Sequence, residues 1–311
     1  MTPKNPAIRI GTCGYSYDDW KGVFYPEKTP KGKFLEYYAE HFDTVELNAT
    51  FYQLPALKTL EGMVKRTPEG FSFVIKAHQA LTHARQDAEK VLPLFREALK
   101  PFSNSGKLGG VLLQFPYSFK PSLEASAHVE KMKAGLGEAG IVVEFRHRAW
   151  FTSQTLEWLK SRELSLCCVD EPQLPGLPLP SAEVTGPVGY VRFHGRNAEA
   201  WWGKTPAPAA GEYIVHDRGD GPDPSPSTRR NGSRGAGAPA AGKPSRAADA
   251  SARYRYLYKE EELKEWVPRV REMGKKAKVV YALLNNHPDG YAIRNAKDFQ
   301  RLMGAGEVAG L

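Results

Sequence analysis

Several features that would place a chain in a well-known class are scarce or missing here. The 311 residues include three cysteines, Cys13, Cys167 and Cys168, with no CxxC pair, which argues against a disulfide framework and a zinc knuckle. No apolar run is long enough to cross a bilayer, and the first residues, MTPKNPAIRIGTCGY, contain no apolar core of a signal peptide. We therefore expect a cytoplasmic protein with reduced thiols and no membrane partner.

The charge balance of the chain is moderately basic. Lysine and arginine number 43 against 35 acidic residues, which gives a formal net charge of +8. This excess favours anionic partners, but it does not separate a nucleic-acid-binding surface from an ordinary solvated basic one. The composition is that of a globular protein, and the length fits one large domain or two smaller ones.

Short runs of β-branched residues recur along the chain, with a helical pattern between most of them. This alternation is typical of a parallel sheet covered by helices, and eight strands can close into a barrel with a filled interior. An open doubly wound sheet is the main alternative, but the first strand runs into GTCGYSYDDW rather than a Gly-rich phosphate turn. We predict an α/β fold, a single (β/α)₈ TIM-type barrel domain over residues 1–311. The predicted strands are 8–14, 44–52, 71–78, 109–116, 141–150, 164–172, 189–196 and 278–287.

One segment interrupts this pattern. From about 204 to 252 the chain is rich in Pro, Gly, Ala, Ser and Arg, with almost no large apolar residue after Val215. Such a composition buries too little surface to offset the entropy of ordering. We predict a disordered insertion after the seventh strand, either an incidental linker or a basic arm near the site.

Polar side chains are concentrated where the predicted strands end, which is the end of a (β/α)₈ barrel that carries active sites. Residues two apart share a face of a strand. Three groups of charged and amide side chains are therefore expected to point toward the barrel axis, while their apolar neighbours pack against the helices. These groups are Glu46 with Asn48, Glu144 with Arg146, and Arg192 with His194 and Arg196.

The residue types at these positions suggest two roles. Glu46, Glu144 and His194 are predicted to carry general acid–base chemistry, because carboxyl and imidazole groups are the usual proton carriers. A ring of internal ion pairs that only satisfies buried charge is the alternative. The remaining candidates are predicted to bind substrate or an anion: Asn48, Lys76, Arg146, Arg192, Arg196, Asn285, Asn286, His287 and Gly290.

The loops after the last two strands suggest where an anion would bind. In this architecture these loops often hold phosphate, and the turn at Gly290 opens the last helix, whose N-terminus presents free N–H groups. We expect the anion between Arg192, His194, Asn285 and this turn. The alternative is a turn with a structural role only.

A metal site is a less favoured alternative. Five possible ligands come from different predicted strands, but no HExxH signature is present, and nearby arginines oppose a bound cation. A divalent metal is therefore not favoured, and no other cofactor is indicated. These possible ligands are Glu46, Glu144, Asp170, His194 and His287.

Five stretches of the chain resemble the signature segments of one family. They are GTCGYSYDDWKGVFYP, ELNATFYQLP, VVEFRHRAWF, YVRFHGR and NNHPDGYAIRNA. In this order, and over nearly the whole chain outside about 204–252, they are similar to the domain-of-unknown-function-72, or YecE-like, family. The resemblance implies a TIM-type barrel and assigns no activity.

The residues at the strand ends, rather than the resemblance, support a functional prediction. We expect a hydrolase-type enzyme that acts at the carboxyl-terminal mouth on a phosphate-bearing substrate, a small molecule such as a nucleotide, or a nucleic acid. The alternative is a non-catalytic protein that binds an anion or a nucleic acid at the same place.

Overall fold

Eight parallel strands form a closed barrel in sequence order, with the first strand paired to the last. The computed structural model describes residues 7–202 and 251–304. The predicted (β/α)₈ barrel is confirmed, and the predicted insertion at about 204–252 lies almost entirely outside the described residues. The strands are β1 (Ala7–Cys13), β2 (Thr44–Leu47), β3 (Ser72–Lys76), β4 (Leu108–Gln114), β5 (Ile141–Glu144), β6 (Ser165–Asp170), β7 (Val188–Phe193) and β8 (Val279–Leu284).

Helices cover the outside of the barrel. The longest buries Phe95, Ala98, Leu99 and Phe102, a spacing of three and four residues that places one apolar stripe against the strands. No helix in the described part of the chain is long and apolar enough to cross a membrane. The α-helices are α1 (Phe34–Ala39), α2 (Ala49–Tyr52), α3 (Leu57–Lys65), α4 (Gln79–Thr82), α5 (Ala88–Asn104), α6 (Leu123–Leu136), α7 (Ser153–Ser161), α8 (Glu260–Lys264), α9 (Trp266–Lys276) and α10 (Tyr291–Gly304).

The side chains of the strands alternate between two separate cores. Val45, Val143 and Val191 pack in the outer core with the helices, as the two-residue spacing predicts. The side chains on the opposite face of the strands fill the barrel. They form a smaller apolar cluster that lies beneath the polar strand ends. This cluster consists of Cys13, Val74, Leu112, Val142, Cys167, Val169, Val188, Tyr190, Tyr281 and Leu283.

All eight strands end earlier than the sequence pattern predicts, by one residue in β1 and by as many as six in β5; β2 and β7 show two of the physical reasons. β2 ends at Leu47, and ATFY forms the short helix α2, in which the Thr50 hydroxyl donates to the Lys76 carbonyl oxygen at 2.7 Å. β7 ends at Phe193, and Gly195 has a φ of 92°, a left-handed conformation that turns the chain. The alternation of faces therefore does not extend to Arg196.

Candidate functional site

Arg192 lies at the centre of a set of buried ion pairs at the carboxyl-terminal end of the barrel. Its Nη2 is 2.7 Å from Glu46 Oε1, and its Nη1 is 2.8 Å from Glu144 Oε2. Tyr190 donates its hydroxyl to the other oxygen of Glu46 at 2.7 Å. All four side chains are fully buried, where opposite charges attract far more strongly than in water. Side chains of β2, β5 and β7 are thus joined across the barrel axis.

A second arginine extends this set toward the surface. Arg146 Nε lies 2.6 Å from Glu144 Oε1, and Arg146 Nη1 lies 3.6 Å from Glu171 Oε2. Its guanidinium carbon lies 5.9 Å from the centroid of the Trp201 ring. Arg146 keeps 7% of its surface exposed, so the charged set reaches the surface at this residue.

His194 and Asn285 complete the group. The Asn285 amide nitrogen lies 3.0 Å from His194 Nδ1, and His194 Nε2 lies 3.3 Å from Glu144 Oε1. An amide nitrogen can only donate, so Nδ1 accepts and the proton of the neutral ring is on Nε2, facing Glu144. Burial, reinforced by Arg146, lowers the pKa of His194 to about 3 against the opposing effect of Glu144.

The same place holds two carboxyl groups whose pKa values are shifted in opposite directions. Burial alone would raise the pKa of Glu144, but Arg192 and Arg146 outweigh burial and hold that pKa well below its usual value. Burial raises the pKa of Glu171 to about 8, because Arg146 lies farther from this carboxyl and Glu144 adds a like charge. Carboxyl groups whose pKa values are driven apart in this way are typical of acid–base sites.

We call seven of these residues, without Tyr190 and Trp201, the mouth cluster. Six of them are predicted site residues, and the structure brings these together, those on the strands as the alternation of strand faces indicates. Glu171 was not among the predicted site residues, although it follows Cys167 and Val169 at two-residue spacing on the interior face. The mouth cluster consists of Glu46, Glu144, Arg146, Glu171, Arg192, His194 and Asn285.

Two further predicted binding residues are buried near the same end of the barrel. Asn48 comes directly after β2, and its buried Oδ1 has no hydrogen-bond partner among the described residues. Lys76 lies two residues after Val74 on the interior face of β3 and is 1% exposed. Its Nζ is 4.3 Å from the centroid of the Phe51 ring. Contact of either residue with a ligand stays a prediction.

Arg196 is not brought to the mouth cluster. It turns outward at Gly195 and forms a two-pronged ion pair with Asp170, with Nε–Oδ1 at 2.9 Å and Nη2–Oδ2 at 2.7 Å. It also lies 2.9 Å from Glu265. The prediction that Arg196 shares a face with Arg192 and His194 is therefore wrong, because the left-handed glycine resets the alternation of faces.

The turn that opens α10 is also separate from the cluster. Asn286 donates to the Tyr256 carbonyl and to Asn295, and the His287 ring stacks on Tyr17 with centroids 4.5 Å apart. A Cβ on Gly290 would lie 2.7 Å from Val23 Cγ1. These contacts hold the turn against neighbouring segments of the chain.

Carboxylates of the chain itself occupy the positions expected for an external anion. Glu46 and Glu144 hold the guanidinium of Arg192, and Asp19 Oδ2 accepts from the Asp289 N–H at 2.8 Å. An anion held between Arg192, His194, Asn285 and the Gly290 turn does not fit this arrangement. The cation nearest the surface, Arg146, is the better anchor.

The residues considered as metal ligands do not form a metal site in the described part of the chain. Across residues 7–202 and 251–304, no group of three His, Cys, Asp or Glu side chains is placed to hold a metal ion. Arg192 lies between Glu46 and Glu144, and Asp170 faces the helices, where it accepts from Trp266.

Comparisons with known proteins agree with this architecture. The family model "Protein of unknown function DUF72" matches residues 9–309. The chain is 31% identical to the UPF0759 protein YunF of Bacillus subtilis over 308 residues, which cover 95% of this chain and 94% of YunF. It is 29% identical to the UPF0759 protein YecE of Escherichia coli over 150 residues, 48% of this chain and 54% of YecE.

Two solved structures share the fold over almost the whole chain. A DUF72 family protein from Thermotoga maritima aligns with a TM-score of 0.75 at 31% identity, covering 96% of this chain and 99% of that chain. A DUF72 family protein from Enterococcus faecalis aligns with a TM-score of 0.73 at 26% identity, covering 96% and 95%. The family model, the full-length relative and these structures show that the chain belongs to the DUF72 family of TIM-type barrels.

Proposed function

We propose that this protein is an enzyme that hydrolyses a phosphate-bearing substrate at the carboxyl-terminal mouth of its barrel. One observation carries the proposal. Five ionisable side chains from β2, β5, β7 and the segments directly after β5 and β6 form a continuous buried chain of contacts. In order across the mouth these are Glu46, Arg192, Glu144, Arg146 and Glu171.

Stability alone is a weak reason for such an arrangement. Removing charged groups from water is expensive, and buried ion pairs are often no more stabilising than well-packed apolar residues of the same size. The apolar cluster directly beneath the charges provides such packing for the barrel interior. Converging buried charges with perturbed pKa values, at the end of the fold where active sites lie, favour a functional role.

The charges of the mouth favour an anionic substrate. Glu171 is mostly neutral near pH 7 because its pKa is raised to about 8. Two guanidinium groups, of Arg146 and Arg192, lie against Glu144 at the same place. Arg146, the most exposed member of the mouth cluster, suits the two-pronged binding of the oxygens of a phosphate group.

The remaining groups have distinct roles in this proposal. Glu144 stays ionised and fixes Arg146 and Arg192, so it positions the binding groups and stabilises positive charge. His194 is a neutral imidazole whose Nε2–H faces Glu144. Glu46 fixes Arg192 from the opposite side. These groups are preorganised before a substrate arrives, which is the main requirement for electrostatic catalysis.

A substrate panel tests this function. The full chain is assayed with phosphomonoesters, phosphodiesters, nucleotides and single-stranded nucleic acid, beside Glu144→Gln and Glu46→Gln. We expect turnover of one class by the wild type and a loss of about 100-fold or more in kcat/KM in both variants. Glu130→Gln is the matched control, because Glu130 pairs with Arg162 on the helical surface.

Two results would refute the proposed enzyme. One is the absence of turnover of every class by a folded wild-type protein. The other is equal turnover by the wild type and Glu144→Gln. Salt-dependent binding of an anion or a nucleic acid without turnover would instead identify a binding protein that uses the same mouth.

A further inference from the structure

Two adjacent carboxylates at the end of β6 have opposite surroundings. Cys167 and Val169 face the barrel interior, so Asp170 points out toward the helices and Glu171 points in. Asp170 accepts from Trp266 Nε1 at 2.6 Å and from the Tyr258 hydroxyl at 2.8 Å, in addition to its ion pair with Arg196. The outward carboxylate is therefore fully hydrogen-bonded by the chain.

The inward carboxylate lacks these partners. Glu171 is 2% exposed, and neither of its carboxyl oxygens has a hydrogen-bond partner among residues 7–202 and 251–304. Its nearest cation is Arg146, with 3.6 Å between Nη1 and Oε2, which is beyond the distance of a good hydrogen bond. A buried polar group without partners is unusual in a native protein and calls for an explanation.

The charges that face Glu171 do not favour its ionised form. Burial is the largest effect and raises the pKa of this carboxyl. Arg146 and Arg192 lower the pKa, while Glu144 and Asp170 raise it. The two arginines are themselves closely paired with other carboxylates, at 2.6 Å from Arg146 to Glu144 and at 2.7 Å from Arg192 to Glu46. Glu171 is thus surrounded by charges that are already largely balanced.

We propose that Glu171 is protonated in the resting protein and donates its carboxyl hydrogen, together with the guanidinium of Arg146, to an oxyanion of the substrate. A protonated carboxyl group supplies one O–H donor, whereas an ionised one can only accept and would repel the anion. The inference rests on the proposed function in taking a phosphate group as the natural ligand. It adds to the proposed mouth site a contact with the substrate oxyanion that forms only while Glu171 carries its proton.

This arrangement couples anion binding to a proton. The bound anion stabilises the protonated carboxyl, and the protonated carboxyl stabilises the bound anion, because linkage is reciprocal. The affinity for an anion is therefore constant while Glu171 is protonated, and it falls once the pH exceeds the pKa of about 8.

Sulfate is the probe for this test, because its charge does not change over the pH range used. The full chain is titrated with sulfate by calorimetry between about pH 6 and about pH 9.5, with the enthalpy corrected for buffer protonation. We expect the wild-type affinity to fall by up to about tenfold per pH unit above about pH 8. Glu171→Gln keeps an N–H donor that does not titrate, so its affinity should vary by less than about threefold over the same range.

Glu183→Gln is the matched control, since it removes a carboxylate from an exposed position on the segment between β6 and β7. It should bind sulfate with the wild-type dependence on pH. Wild-type binding that is independent of pH, a fall that persists in Glu171→Gln, or no wild-type binding at pH 6 would each overturn the proposal.

A second measurement does not depend on any variant folding. Wild-type protein with ¹³C-labelled glutamate carboxyl groups is titrated by NMR. We expect one glutamate to titrate near pH 8, with its pKa raised further by sulfate. Titration of every glutamate below about pH 6 would overturn the proposal. Proton-coupled sulfate binding without turnover would refute the hydrolase and leave the role of Glu171 intact, and turnover with uncoupled binding would do the reverse.

Discussion

Arg192 donates to Glu144 across 2.8 Å in a part of the barrel where neither side chain has any exposed surface. This ion pair connects β7 to β5, and the second branch of the guanidinium connects β7 to Glu46 on β2. Three strands that are not neighbours in the sheet are therefore held through a single side chain, so one substitution affects all of them.

Arg192→Met should destabilise the fold strongly. The substitution leaves Glu46 and Glu144 buried without their shared cation, a change that costs about 3–5 kcal/mol for buried pairs. Urea unfolding followed by circular dichroism measures the free energy of unfolding. Arg162→Met removes the half-exposed pair with Glu130 and should cost less than about 1 kcal/mol. Equal losses in the free energy of unfolding of the two variants would show that the buried ion pairs of Arg192 stabilise the fold no more than an exposed pair does.

The stability of the protein should decrease with pH between about 6.5 and 8 because of Glu171. The pKa of this carboxyl is about 8 in the folded chain, whereas its ordinary value is 4.5. In this window the folded chain keeps a proton that the unfolded chain has released, so the free energy of unfolding falls by up to about 1.4 kcal/mol per pH unit. Urea unfolding at a series of pH values should show this slope in the wild type and not in Glu171→Gln.

Two opposing effects on stability become small above the lower limit of that window. His194 has its pKa lowered from 6.5 to about 3, so it makes stability rise with pH below about 6.5. The lowered pKa of Glu144 contributes stability above the carboxyl's usual range, and that stability is lost as the pH falls. A wild-type slope identical to that of Glu171→Gln between pH 6.5 and 8 would contradict the raised pKa of Glu171.

Much of the fold and part of the site follow from local patterns in the sequence. Buried parallel strands appear as β-branched runs, and the spacing of two residues identifies Glu46, Glu144 and Arg192 as inward-facing. Strand ends are harder to predict, because they depend on the tertiary contacts of neighbouring loops. The Thr50 hydroxyl, for example, bonds to the Lys76 carbonyl on β3, and this contact between segments accompanies the helical ATFY segment.

The two-residue spacing does not tell which of Asp170 and Glu171 points into the barrel. In LSLCCVDEP both Cys167 and Cys168 are small and buried, so hydrophobicity does not indicate which parity faces the barrel interior. The choice depends on distant residues: Trp266, Tyr258 and Arg196 all donate to Asp170 and draw it outward. These partners lie 26 to 96 residues away along the chain, beyond the reach of strand periodicity.

Asp170→Ala should reduce stability without reducing anion binding. It removes the acceptor of Arg196, Tyr258 and Trp266, and we expect a loss of about 3–5 kcal/mol in the free energy of unfolding. Since Asp170 faces the helices, sulfate affinity at pH 6 should remain within about threefold of the wild type under conditions where the variant is folded. Urea unfolding and calorimetric titration check the two outcomes. Loss of sulfate binding by a folded Asp170→Ala protein would contradict the separation of the two faces of β6.

Gly195→Ala tests how strongly the turn after β7 depends on a residue without a side chain. The residue has a φ of 92°, and a Cβ there would lie 2.7 Å from the Cβ of Tyr256, so both the backbone and the packing oppose a side chain. We expect a loss of about 2–4 kcal/mol, the sum of left-handed strain and overpacking. Gly106→Ala is the control for strain alone, because its φ is 69° and nothing lies within 4 Å of the added Cβ; it should lose about 1–2 kcal/mol. Urea unfolding of both variants measures the difference. If the two losses were equal, contact with Tyr256 would contribute nothing, and the cost of the substitution would come from backbone strain alone.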